Sequence, residues 1–272
     1  MATSVTGSGL FINGATAEPI VLPSTGSFKV NGFNNSAPSQ ARYNAMVDIL
    51  NQDRDKALIN STSAVTSKAI QISTLIDPII SGASARIDRL FAKQNANISK
   101  QLQRVAKIIE ARGTLGVRRQ IFFCSLGGFD THNGLINTQA TLFTQLGTAM
   151  ATFYKAIVRL GVESQVTTFT LSDFGRTLQP ASGAGSDHAW GSHHLIMGGA
   201  VRGGDFYGQF PSLVLGGADD AGSEGRWIPS SSVDQYAATL AQWYGASTTD
   251  LPVILPNINN FASNNLGFML LD

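Results

Sequence analysis

The chain has 272 residues, of which 43% are hydrophobic and 14% charged, and its formal net charge is +1. This length and apolar content are enough to bury a full core. No Lys/Arg run is present to follow a row of phosphates, and no apolar stretch reaches the roughly 20 residues that span a bilayer, so neither nucleic acid nor a membrane span is expected. The single Cys124 rules out an internal disulfide and a multi-cysteine zinc site, and within Ile121-Phe122-Phe123-Cys124 it reads as a small buried core residue.

Residues 1–38 are rich in Gly, Ser, Thr and Asn, with short apolar pieces (Leu10-Phe11-Ile12 and Phe28-Lys29-Val30) between turn formers. They are expected to form a β-rich or irregular lead-in. The opening residues lack a basic region followed by an apolar one, so the chain as written carries no export signal. Residues 39–113 turn helical: Tyr43, Met46, Val47 and Leu50 fall at helical spacing, as do Leu102, Val105, Ile108 and Ile109, and Pro78 and Gly82 are expected to divide the region into two or three helices.

From 114 to 272 strand and helix patterns alternate. The run 121–126 reads as a strand buried on both faces. A long amphipathic helix follows, with Leu142, Phe143, Leu146, Met150, Phe153, Ile157 and Leu160 inward and Gly161 as its C-terminal cap. Strands are expected at 166–171, 194–197 and 213–215, and a last helix near Ser231, with Ser231 and Asp234 as its capping pair. Alternation of this kind implies an α/β fold with a mostly parallel sheet flanked by helices. Residues 39–113 and 114–272 are read as one domain.

All four histidines lie in two short stretches: His132 in Gly127-Gly128-Phe129-Asp130-Thr131-His132, and His188, His193 and His194 in Ser186-Asp187-His188-Ala189-Trp190-Gly191-Ser192-His193-His194. Imidazole and carboxylate together suit a divalent cation. Ligands of open α/β sheets bind beyond the carboxyl ends of the strands, where Asp130, His132, Asp173, Arg176, Asp187, His188, His193 and His194 would all fall. Plainer roles exist: Asp130 could cap a helix, and Asp173 could pair with Arg176. If His193 and His194 lie on a strand they face opposite ways, so one at most is a ligand. Asp219, Asp220 and Glu224 could hold calcium, although a solvated turn suits them better. Gly7-Ser8-Gly9 and Gly183-Ala184-Gly185-Ser186 match a serine nucleophile elbow only loosely.

The chain resembles the bacterial DUF1501 family, whose fold is related to the alkaline phosphatase, sulfatase and phosphoglycerate mutase superfamily. The resemblance is carried by Gly127-Gly128-Phe129-Asp130-Thr131-His132, Ser172-Asp173-Phe174-Gly175-Arg176-Thr177, Ser186-Asp187-His188-Ala189-Trp190-Gly191 and Gly198-Gly199-Ala200-Val201-Arg202-Gly203-Gly204. It implies an alkaline-phosphatase-like fold, Asp130 and His132 as ligands of one metal with His188 or His194 completing that site, and Asp173 as the acidic ligand at a second. It also implies an exported or periplasmic protein. The family's twin-arginine signal and Gly-Gly-Asn-Asp motif are not in this chain, nor is the superfamily's upstream acid and nucleophile.

The function expected from these residues is a metal-dependent hydrolase acting on a small, anionic ester. Asp130, His132, Asp173, Asp187, His188 and His194 are the candidate metal ligands, with Arg176 and His193 assigned to catalysis. The cation would activate water directly, with zinc or manganese favoured by mixed nitrogen and oxygen ligands and calcium by a carboxylate-dominated site. The bond cut would be a phosphate or sulfate ester by resemblance, or a carboxylic ester or lactone. The alternative is a non-catalytic binding or structural remnant of the fold.

Overall fold

In the computed structural model the described residues are 1–7, 9, 12–14, 19–52, 56–83 and 85–270. They form a mixed α/β structure with seven α-helices and three small sheets. The chain divides into two compact units, Met1–Ser125 and Leu126–Asp272.

In the first unit, the lead-in supplies β1 (Ala2–Ser4) and β2 (Ile20–Val21), which ladder in parallel with β3 (Ile121–Phe123) in the order β2-β1-β3. The Phe28-Lys29-Val30 piece is not a strand, and Leu10 and Phe11 lie outside the described residues. Four helices follow β2: α1 (Ala37–Leu50), α2 (Ala57–Gly82), α3 (Ala85–Phe91) and α4 (Asn97–Glu110). Pro78 was expected to break the chain but lies inside α2. It removes one helical N–H, and the buried Ile76 and Ile80 on either side keep the helix packed through that position. Gly82 does end it.

The helix α4 buries Ile98, Leu102, Val105, Ile108 and Ile109, the periodicity seen in the sequence. Two polar side chains on the same face are buried with them and fasten the irregular segments. Arg104 donates to the Gly26 carbonyl at 2.7 Å, while Gln101 accepts from the Ser125 amide at 2.8 Å and donates to the Ser125 carbonyl at 2.9 Å. Gln101 thus acts as a short piece of strand at the end of β3. Just before this clamp, Cys124 is half-buried rather than the fully buried core residue expected, and desolvation pushes its thiol up to about 12.

The second unit starts with α5 (Leu135–Arg159), which buries Met150, Phe153 and Ile157. It ends at Gly161, φ 66°. The Val162 amide reaches the Ile157 carbonyl and the Gly161 amide the Val158 carbonyl, the paired bonds of a Schellman terminus. After β4 (Thr167–Phe169) come β5 (Gly175–Arg176), β6 (His188–Ala189) and β7 (Ile196–Gly198). Here β4 pairs antiparallel with β7, and β5 antiparallel with β6.

The four strands therefore form one nested excursion that doubles back between 177 and 187. Parallel pairing needs a crossover of a dozen or more residues, usually a helix. No helix separates β4 from β7, which is why the expected mostly parallel sheet is confined to β2-β1-β3. Leu213-Val214-Leu215 forms no strand and is exposed.

The last long helix, α6 (Val233–Tyr244), starts one residue later than its sequence signal. Ser232 and Gln235, rather than Ser231 and Asp234, form the capping box, because an amide side chain at the third position can donate as well as accept. Tyr236 of α6 packs with Ala200, Phe268 and Met269 into a core that Leu240 and Trp243 cover. A final short helix, α7 (Leu251–Ile254), packs Leu251 against Ala238 and Ile258.

Replacing Gln101 with Leu keeps the volume but strands the Ser125 amide and carbonyl. The expected loss is about 1–3 kcal/mol of unfolding free energy, read from urea denaturation. Cys124, with its thiol held protonated, should react more slowly with thiol reagents in the native protein than once denaturant unfolds it; equal rates in both states would contradict its desolvation.

Candidate metal centre

Two loops of the second unit run side by side and set the site. The Ser186 amide donates to the Thr131 carbonyl (3.2 Å), and the Gly134 and Leu135 amides donate to the carbonyls of Gly183 and Ala184 (3.0 Å each). Glycine at 185 is required by contact: an added Cβ would overlap the His132 backbone carbonyl. Thr131 is buried, with Gln139 donating to its hydroxyl at 3.2 Å, so its neighbours Asp130 and His132 project outward. From the other side, the β5–β6 register sets Arg176 directly opposite His188, and opposed residues of an antiparallel pair share a face.

The result is a convergence on one atom. Asp130 Oδ1 lies 3.0 Å from His188 Nε2 and 3.2 Å from His132 Nδ1, and it also accepts from Arg176 Nη1. Asp130, His132 and His188 are each about half exposed, whereas the Arg176 side chain is only 14% exposed. Arg176 is further held by Nε on Ser186 Oγ at 3.1 Å and by Nη2 on the Ser186 carbonyl. The Phe174 ring lies 4.2 Å from that of His188 and beneath the guanidinium. Desolvation pushes the Asp130 carboxyl upward, but hydrogen bonds from Arg176 and His188 and the charges of His132 and His188 outweigh it, and its pKa falls below the ordinary value.

Asp130, His132 and His188 form a group that could hold a metal ion: one ligand atom from each lies within 4.8 Å of the others. The spacing fits the chemistry. Ligands about 2.0 Å from a tetrahedral centre are about 3.3 Å apart, close to the 3.0 and 3.2 Å found at Oδ1.

The other candidates stand elsewhere. Among the described residues Asp173, Asp187 and His194 are outside the group. Asp173 is exposed, and Arg176, with which it could have paired, is bonded to Asp130 instead. Asp187 is exposed too, and its backbone, not its carboxylate, is bonded, to Thr177. His193 and His194 precede β7 rather than lying on it. The His193 ring stacks on Phe210 at 5.0 Å. His194 lies 5.8 Å from the Tyr236 ring, its pKa lowered by desolvation first and by His193 second.

The acidic turn carries its own explanation. Asp220 accepts from the amides of Gly216, Gly222, Gly225 and Arg226, Asp219 accepts from the Ser212 amide, and Glu224 pairs with Arg226. Ser186 is buried and leads into β6 rather than standing on a strand-to-helix turn, and its hydroxyl accepts from Arg176; Ser8 of the other loose elbow match lies outside the described residues. Phe174 and Ser186 were missed as parts of the site. The signal for Phe174 was its place two residues before Arg176 in the motif Ser172-Asp173-Phe174-Gly175-Arg176-Thr177.

The fold and this group define an α/β protein with an Asp-His-His cluster beside a partly buried arginine. The chain belongs to the DUF1501 family, described as proteins of unknown function, whose sequence profile matches residues 14–222. No curated protein and no solved structure matches it. Among the described residues no helix is long and apolar enough to cross a membrane.

Substituting Gly185 with Ala forces the two loops apart. It should cost about 1–3 kcal/mol and separate His132 from His188, seen as loss of cross-peaks between their rings by NMR. For Asp130 the folded pKa is depressed, so its stabilisation is complete above the unfolded value of about 3.9 and is lost as pH falls through the folded value. The melting-temperature gap between wild type and Asp130→Asn in metal-free protein should therefore be present above about pH 4 and close as pH falls below it; a gap that stays open at the acid end would contradict the assignment.

Proposed function

We propose that this protein is a metal-dependent hydrolase that cleaves an ester bond with water activated by a divalent cation held on Asp130, His132 and His188. The reading is carried by the meeting of two imidazole nitrogens at one carboxylate oxygen, at 3.0 and 3.2 Å, on a half-exposed surface. Two nitrogens and one oxygen favour zinc or manganese over calcium, which takes six to eight oxygens. Three protein ligands leave a position open for water, as catalytic sites require, and the cation would lower that water's pKa and polarise the ester oxygen. Arg176, fixed by Ser186, suits the steadying of an anionic group. The relation to the alkaline phosphatase and sulfatase superfamily belongs to the same proposal and rests on the motifs around Asp130, Asp173 and His188. Phosphate or sulfate esters follow from it, and carboxylic esters or lactones if no covalent nucleophile takes part. Asp173, Asp187 and His194 would then need a substrate or second ion to draw them in, and the catalytic role expected of His193 would have to be exercised from its stack on Phe210.

A non-catalytic reading has one observation in its favour, the bond from Arg176 to Asp130, which neutralises the carboxylate without any cation. Elemental analysis of protein purified without added metal separates the two. The hydrolase should carry about one cation per chain, lose turnover of chromogenic phosphate, sulfate and carboxylic esters on chelation, and regain it when metal is restored. His188→Ala should weaken cation binding by at least the roughly 10–100-fold typical of losing an outer-shell partner. Substoichiometric metal with no turnover, or activity that survives verified metal removal, would reject the proposal.

A further inference from the structure

We infer that Arg176 is a built-in counter-cation that competes with the divalent ion for the Asp130 carboxylate, and that an oxyanion relieves this competition, so that cation and anion bind cooperatively. The inference rests on the reading of Asp130, His132 and His188 as a cation site. The Arg176 guanidinium and the two imidazole nitrogens address the same oxygen, Asp130 Oδ1. Its side chain is largely buried, and among the described residues Asp130 is its carboxylate partner. Ser186 grips it through two further bonds, so it cannot swing away freely.

Charge counting gives the consequence. One carboxylate and one guanidinium cancel, and neutral imidazoles add nothing, so a divalent ion at Oδ1 brings two uncompensated positive charges beside a partly desolvated arginine. Like charges at this range repel appreciably in a protein environment. An oxyanion bridging the cation and the guanidinium removes the surplus. The guanidinium can receive it: of five N–H donors, one serves Asp130 and two serve Ser186, which leaves two for a ligand oxygen. The proposed site thus selects anionic ligands, tetrahedral oxyanions or carboxylates, and couples their binding to the metal.

Coupling between two ligands is reciprocal and typically amounts to about 5–150-fold. The test is calorimetric titration of Mn²⁺ into wild type, Arg176→Gln and Arg176→Lys, each with and without sulfate. Wild type should bind Mn²⁺ more tightly by a factor in that range when sulfate is present. Arg176→Gln should bind Mn²⁺ more tightly than wild type without sulfate and gain nothing from it. Arg176→Lys, which keeps the charge but loses the fork, should bind Mn²⁺ no more tightly than wild type and show reduced coupling; it carries the test if the Gln variant does not fold. Equal or weaker Mn²⁺ binding by Arg176→Gln, or undiminished sulfate coupling in either variant, overturns the role of Arg176. Absence of Mn²⁺ binding to wild type and variants alike overturns the cation site itself.

Discussion

A single oxygen atom, Asp130 Oδ1, is where the second unit's loops meet. A carboxylate offers about two lone-pair positions on each oxygen, yet three nitrogens from His132, His188 and Arg176 are directed at this one. They cannot all be well aligned at once. A cation there would replace these competing contacts by a single centre shared by the carboxylate oxygen and the unprotonated nitrogens of two neutral imidazoles. The same crowding explains why the carboxyl stays ionised in spite of partial desolvation, since each neighbour favours the charged form.

This convergence is made by the backbone before any side chain takes part. Loops 127–134 and 183–188 are laced by amide-to-carbonyl bonds and kept in contact by a glycine at 185. Gly175 does the same for the strand opposite, because an added Cβ would overlap the Gly191 carbonyl. Arg176 and His188 are then brought together by register alone. Precise placement of half-exposed polar groups requires this sort of scaffold, as their own interactions with solvent leave them little intrinsic order.

How much of this could be read from the sequence depended on whether the cause was local. The faces of α4 and α5 were legible because burial at 3.6-residue spacing is written in Leu102, Val105 and Ile108, and in Met150, Phe153 and Ile157. The cap of α6 was legible to within one residue. The nested β4–β7 and β5–β6 pairs were not, because strand direction depends on what lies between strands, and the reversal between 177 and 187 is set by backbone pairing rather than by residue pattern. Within the site, Asp130, His132 and His188 were legible as residue types clustered in glycine-rich stretches. The partner of Arg176 was not: Asp173 is three residues away in sequence, but the fold brings Asp130 to it from 46 residues away. Proximity along the chain was a poor guide because the chain bends at Asp173 before β5 begins at Gly175, while β5–β6 pairing sets Arg176 on the side of His188.

Besides Asp250, lowered by hydrogen bonds from the hydroxyl and amide of Ser247, two carboxylates in this unit, Asp130 and Asp220, have lowered pKa values, and the contrast between these two separates a structural acid from a candidate ligand. In both, desolvation pushes upward and hydrogen bonding wins. For Asp220 the winning bonds come from four backbone amides of its own turn, Gly216, Gly222, Gly225 and Arg226. Those donors cannot leave without unfolding the turn, and they fill both oxygens, so no lone pair faces outward for a cation. For Asp130 every lowering contact comes from a side chain, two of them imidazoles whose unprotonated nitrogens can ligate a metal. A depressed carboxyl is therefore informative about function only when its donors are exchangeable, and in this unit that condition singles out Asp130 over Asp220.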